Sequence, residues 1–122
     1  MINHTIIAAK GYAFVEITQS HELEAYKRAT INFVSDPDFE PSIHRLCDFS
    51  QADLSNATLT DIKAYAKFTL EHLPTTPITK VALVSPAENK LGIFANMIKA
   101  HSPANFRIFD EPGLAITWFN ES

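Results

Sequence analysis

A single cysteine, Cys47, stands in the 122 residues, so no disulfide can form within the chain and a reducing, cytoplasmic setting is the expectation. Glycine is scarce as well. Gly11, Gly92 and Gly113 are too few and too scattered for a phosphate-cradling loop of the P-loop or dinucleotide type. Positive charge is thin: ten Lys and Arg face fourteen Asp and Glu, the net charge is −4, and Lys27-Arg28 is the only adjacent basic pair. Phosphate-rich partners select a basic patch, so nucleic acid is not expected as a partner and charge-driven docking on anionic lipid is disfavoured. No segment reaches the roughly 20 apolar residues that span a bilayer, and no basic start with a long apolar run marks a signal peptide.

What remains is an ordinary globular composition, 46% hydrophobic and 20% charged. Residues 1–122 read as one domain, long enough to bury roughly two thirds of the surface its unfolded chain exposes. The stretch that organises it runs from Ile43 to Leu73. Ile43-His44-Arg45-Leu46-Cys47-Asp48-Phe49 reads as a buried strand, and after a polar turn a helix opens near Thr58. Thr58 or Thr60 can cap that helix, Asp61 suits its positive end, and Leu73-Pro74 closes it. Leu59, Ile62, Ala66, Leu70 and Leu73 recur at helical spacing and predict a stripe facing a sheet. Tyr65, Phe68 and His72 form a second stripe beside it.

Upstream, His4–Ala9 and Tyr12–Thr18 predict a tight hairpin around Lys10-Gly11, with Gly11 at positive φ. Ala13, Val15 and Ile17 face one way, the core side; Tyr12, Phe14 and Glu16 face the other, which is at least partly wet. A first helix runs from about Ser20 to Val34, and the proline- and acid-rich segment 36–41 is a surface loop. Downstream, Lys80–Ser85 predicts a strand covered on both faces. A third helix spans about Pro86–His101: Leu91, Phe94, Ala95 and Ile98 make its core stripe, while Ile93 and Met97 lie on a neighbouring face. Phe106–Phe109 is the last strand, and Asp110-Glu111-Pro112 starts a short terminal helix carrying Leu114, Ala115, Trp118 and Phe119. The order β-β-α-β-α-β-α-β-α demands an α/β fold with a mixed, mainly parallel five-stranded sheet and four helices.

Tools for catalysis are missing. Cys47 lies in an apolar strand, where it acts as a small hydrophobe. The five histidines include no pair at i, i+4, so no metal and no cofactor are expected. Asp48 and Asp53 sit at or beyond the carboxyl edge of a parallel strand, where ligands of open α/β sheets gather. Asp48 also fits a purely local role, ordering the turn through an Asx-type hydrogen bond.

The chain from Gly11 to Phe119 resembles the SpoIIAA-like group of STAS domains, named for sulfate transporters and anti-sigma factor antagonists. The likeness is strongest in Leu46-Cys47-Asp48-Phe49-Ser50-Gln51-Ala52-Asp53-Leu54, in Val81-Ala82-Leu83-Val84, and in Phe106-Arg107-Ile108-Phe109-Asp110 with Ala115-Ile116-Thr117-Trp118-Phe119. It implies the STAS (SpoIIAA-like) fold and a module that binds rather than catalyses. In the antagonist branch an Asp-Ser-Ser-Gly motif carries a phosphorylated serine; Asn56, Ala57, Thr58 and Leu59 stand there in this chain. Ala57 has no hydroxyl to modify, and Thr58 reads as the helix cap.

The apolar positions beyond one core stripe, together with the fold-level similarity of STAS domains to the CRAL-TRIO lipid carriers, set the functional expectation. It is a non-catalytic module that takes an apolar small molecule or lipid, or touches a membrane peripherally, through Tyr65, Phe68, Ile93 and Met97. The alternative is a STAS-type regulator that docks a protein partner through its second helix and the turn at Asp48, Asp53 and Thr58, without phosphorylation. A weak homodimer covering part of the Tyr65/Phe68 or Ile93/Met97 surface is expected with either.

Overall fold

The computed structural model describes residues 2–18, 23–52, 57–85 and 89–121. Five strands form one sheet in the order β1-β2-β3-β4-β5: β1 (Ile2–Ile7), β2 (Tyr12–Thr18), β3 (His44–Gln51), β4 (Lys80–Val84) and β5 (Asn105–Phe109). β1 runs antiparallel to β2, with Ile7 opposite Tyr12, and every later pairing is parallel. Helices α1 (Leu23–Val34), α2 (Leu59–His72), α3 (Asn89–Lys99) and α4 (Pro112–Phe119) follow β2, β3, β4 and β5. The mixed, mainly parallel sheet with four helices is the one the pattern predicts.

Each parallel connection steps one strand in the same direction, so right-handed crossovers place α1, α2 and α3 on one face. α2 packs between α1 and α3, and α4 packs against β3, β4 and β5. Strand alternation divides the core accordingly. Ala66, Val81, Leu83, Leu91, Ala95, Ile98 and Phe106 bury together beneath α2 and α3. Tyr12, Leu46, Ala82, Val84, Ala115, Trp118 and Phe119 bury together beneath α4. Tyr12 is therefore covered where the sequence suggested a partly wet face. α4 supplies the cover, and Lys80 Nζ anchors that helix's end by donating to Trp118 O at 2.7 Å and Glu121 O at 2.8 Å.

The local signals hold with two adjustments. β1 ends at Ile7 and a 3-10 turn, Ala8–Lys10, leads to Gly11, so the connection is longer than a two-residue hairpin. Gly11 does take positive φ, at 74°, and its N–H donates to Ile7 O at 3.1 Å. On α2 the buried positions are Ile62, Ala66 and Thr69, while Leu59 and Leu70 are exposed. The helix is rotated from the all-leucine stripe because Tyr65 and Phe68 are drawn toward α1, where they pack around Tyr26 at centroid distances of 5.2 and 6.0 Å. The Ser20 start signal of α1 and the Pro86 start of α3 fall outside the described residues.

Candidate functional site

Between the sheet and the α1–α3 layer the side chains do not close up. They leave a cavity of about 590 Å³. Protein interiors hold few gaps larger than a water, and this volume lies in the range of small-molecule sites. The floor is the helix-facing set of strand residues, including Val15, Ile17, Arg45, Cys47, Phe49, Leu83 and Phe106. α1 contributes Tyr26, Thr30 and Phe33; α2 contributes Thr69 and Leu70; α3 contributes Phe94 and Ile98. Most of that lining is apolar.

Arg45 is the exception. As the second residue of β3 it shares a face with Cys47 and Phe49, so alternation turns it into the core, where it is 1% exposed. Its Nη2 donates to Pro41 O at 3.1 Å and to Pro74 O at 2.7 Å. Its Nε and Nη1 have no hydrogen-bond partner. The Phe39 and Phe33 rings lie 5.3 and 5.7 Å from its Cζ, so one flank is held by cation–π contacts. Burial pushes the guanidinium down to about 10, which still leaves it cationic at neutral pH.

No internal anion answers that charge among the described residues. Their ion pairs are His4–Asp36, Lys27–Glu24 and His72–Glu71. Cys47 and Tyr26 are the ionisable groups coupled to Arg45, and burial pushes both up to about 12, so each is neutral near pH 7. Tyr26 is instead tied into the wall. Its hydroxyl bonds Thr69 Oγ1, and the Thr69 hydroxyl donates to Tyr65 O at 2.8 Å. Further polar groups line the cavity from the segments that lead into β4 and β5. Thr75 Oγ1 and Ser102 Oγ share a hydrogen bond at 3.1 Å, and His101, which precedes Ser102, lines the cavity as well.

The residues singled out by sequence lie elsewhere. Tyr65 and Phe68 are half-buried on the α1 side of α2, and Phe68 also packs on His72 at 4.5 Å. Met97 packs against the core beneath α3, and Ile93 is exposed. None of the four lines the cavity. Asp48 falls on the opposite face of β3 from Cys47, and its Oδ1 accepts the Ser50 N–H at 2.9 Å, which is the local turn role. Thr58 caps α2 in a reciprocal box: Asp61 N–H donates to Thr58 Oγ1 at 3.1 Å, and Thr58 N–H donates to Asp61 Oδ2 at 2.9 Å. Asp53 lies outside the described residues. Asp48 and Thr58 are likewise absent from the cavity lining. Among the described residues no group of His, Cys, Asp or Glu is placed to hold a metal, and no helix is long and apolar enough to cross a membrane.

Arg45, unlike those residues, lines the cavity, and the sequence carries a signal for it. A charged residue at an inward position of an otherwise apolar strand is a buried charge, and buried charges need a partner.

This arrangement, three crossover helices on one side of a mixed sheet and a terminal helix on the other, is the SpoIIAA-like fold. A solved structure shares it over almost the full chain: an uncharacterised protein of the DUF3478 family with a SpoIIAA-like fold from Shewanella loihica PV-4 superposes with a TM-score of 0.67 at 19% sequence identity, covering 98% of this chain and 92% of that one. No family model matches the sequence, and no curated protein matches it. The likeness establishes the fold that the STAS resemblance implies.

Proposed function

We propose that this protein is a non-catalytic binding module that takes an apolar small molecule into the cavity between its sheet and helices α1–α3. The observation that carries this reading is the cavity itself: about 590 Å³ inside a 122-residue domain, lined mainly by aliphatic and aromatic side chains. Mainly apolar pockets of this size are the usual form of small-molecule sites. The functional class is the one expected from sequence, but the site moves from the outer faces of α2 and α3 to the interior.

A neutral fluorescent probe, N-phenyl-1-naphthylamine, tests it. Uptake with a fluorescence rise in the wild type, lost in Leu83→Trp, supports the reading, because Leu83 faces the cavity and a larger ring there fills it. A flat titration of a folded wild type would overturn it.

A further inference from the structure

We infer that the guest has an anionic head, a monocarboxylate on an alkyl or similar apolar tail, and that Arg45 is the residue that receives it. This rests on the cavity reading above and names the ligand class for that site. A guanidinium carries five N–H bonds. Two are used on the Pro41 and Pro74 carbonyls, which fixes the group in place; the three on Nε and Nη1 are unused, inside a side chain that is 1% exposed. Native interiors leave few buried donors unpaired, and an unpaired buried cation is costlier still. The two strongest remedies, an internal carboxylate and water at the surface, are both missing at Arg45 among the described residues.

Nε and Nη1 are closed to a water-sized contact, so a ligand oxygen that supplies what the fold does not must shift the wall around them as it enters. One charge faces one charge, so a monovalent carboxylate matches Arg45 better than a dianionic phosphate. Hydrogen bonds of this charge-assisted kind are about twice as strong as neutral ones, and a low-dielectric surrounding strengthens them. The tail has a defined path. Arg45, Cys47 and Phe49 share one face of β3, and the strand rises about 13 Å from the first to the last of them along the cavity floor. Thr75 and Ser102, on the segments leading into β4 and β5, line the same cavity and add polar groups near the strand starts. The protein's net charge of −4 gives no long-range attraction for an anion, so selection falls to this one cation.

Isothermal titration at pH 7.5 with decanoate, methyl decanoate, decan-1-ol and decylamine separates head from tail. Decanoate should bind about tenfold or more tightly than the ester or alcohol, the size of step that a charge-assisted hydrogen bond contributes. Decylamine should bind most weakly. Arg45→Met, checked for folding by circular dichroism, should erase the preference for decanoate and keep decan-1-ol binding. Equal affinity of the wild type for decanoate and decan-1-ol overturns the inference without any variant, and so does an unchanged preference in Arg45→Met. If N-phenyl-1-naphthylamine enters but decanoate does not, the carboxylate assignment falls and the cavity reading stands. If neither enters, both fall.

Discussion

Arg45 and Thr79 meet on one carbonyl. Pro41 O accepts Arg45 Nη2 at 3.1 Å and Thr79 Oγ1 at 2.8 Å, and both side chains are buried. Thr79 Oγ1 also accepts the Thr76 N–H at 2.9 Å, so one hydroxyl links the loop before β3 to the turn before β4. Thr79→Val keeps the shape, strips these two bonds and the 3.1 Å hydrogen bond with Thr76 Oγ1, and leaves Thr76 N–H without that acceptor. We expect a loss of about 1–3 kcal/mol in urea unfolding. Arg45→Lys, which cannot present the same fork to Pro41 and Pro74, should cost about 1–2 kcal/mol. Unaltered midpoints in both variants would remove this junction from the account of stability.

Thr58 tests the helix start. Its side chain and that of Asp61 satisfy one another's backbone donors, so Thr58→Ala should destabilise by about 1 kcal/mol while Thr58→Ser stays close to wild type. The same denaturation curves read the difference. If alanine is as stable as serine, the capping box contributes nothing.

Cys47 should be unreactive in the folded protein. Burial pushes its thiol up to about 12, which leaves a thiolate fraction of about 10⁻⁴ at pH 8. Ellman's reagent should therefore modify the native protein orders of magnitude more slowly than the denatured one. Decanoate in the cavity should slow it further, since Cys47 lines the floor. Complete native labelling within the mixing time would contradict this environment.

His44 gives the fold a defined pH response. Its Nδ1 accepts the Lys80 N–H at 3.0 Å, its ring stacks on Phe119 at 5.4 Å, and burial, followed by the Lys80 and Arg45 charges, holds its pKa below the ordinary 6.5. Below 6.5 the unfolded chain takes up a proton that the folded chain refuses. The His44 contribution is thus complete above pH 6.5 and is lost as the pH falls from there through the lower folded value. His44→Asn keeps an acceptor and cannot titrate, so it should flatten stability across that window. A variant with the wild-type pH slope would assign the slope to other groups.

Much of the fold is legible in the sequence because its signals are local. The run Val81-Ala82-Leu83-Val84, the Thr58/Asp61 pair, Gly11 and Pro112 each mark an element through its own neighbours. The cavity is different. Its walls come from β1, β2, β3, β4, β5, α1, α2 and α3 at once, and no periodicity within one element reports a gap between elements. Phe68 shows the reverse case: helical spacing marks it as surplus apolar surface, and the Tyr26 and His72 rings pack on it and leave it half-buried. The signal at Arg45 is of another kind, a charge on the inward face of an apolar strand.

The uninterrupted strand order has a consequence for how the chain is made. Each new strand joins the one completed before it, so during synthesis no strand waits for a partner still inside the ribosome, and the sheet grows outward from one border. The exception is α4. Until it has emerged, Tyr12, Leu46, Ala82 and Val84 form a bare apolar face on the nascent sheet, and the last turn of the last helix, with Trp118 and Phe119, is what seals it.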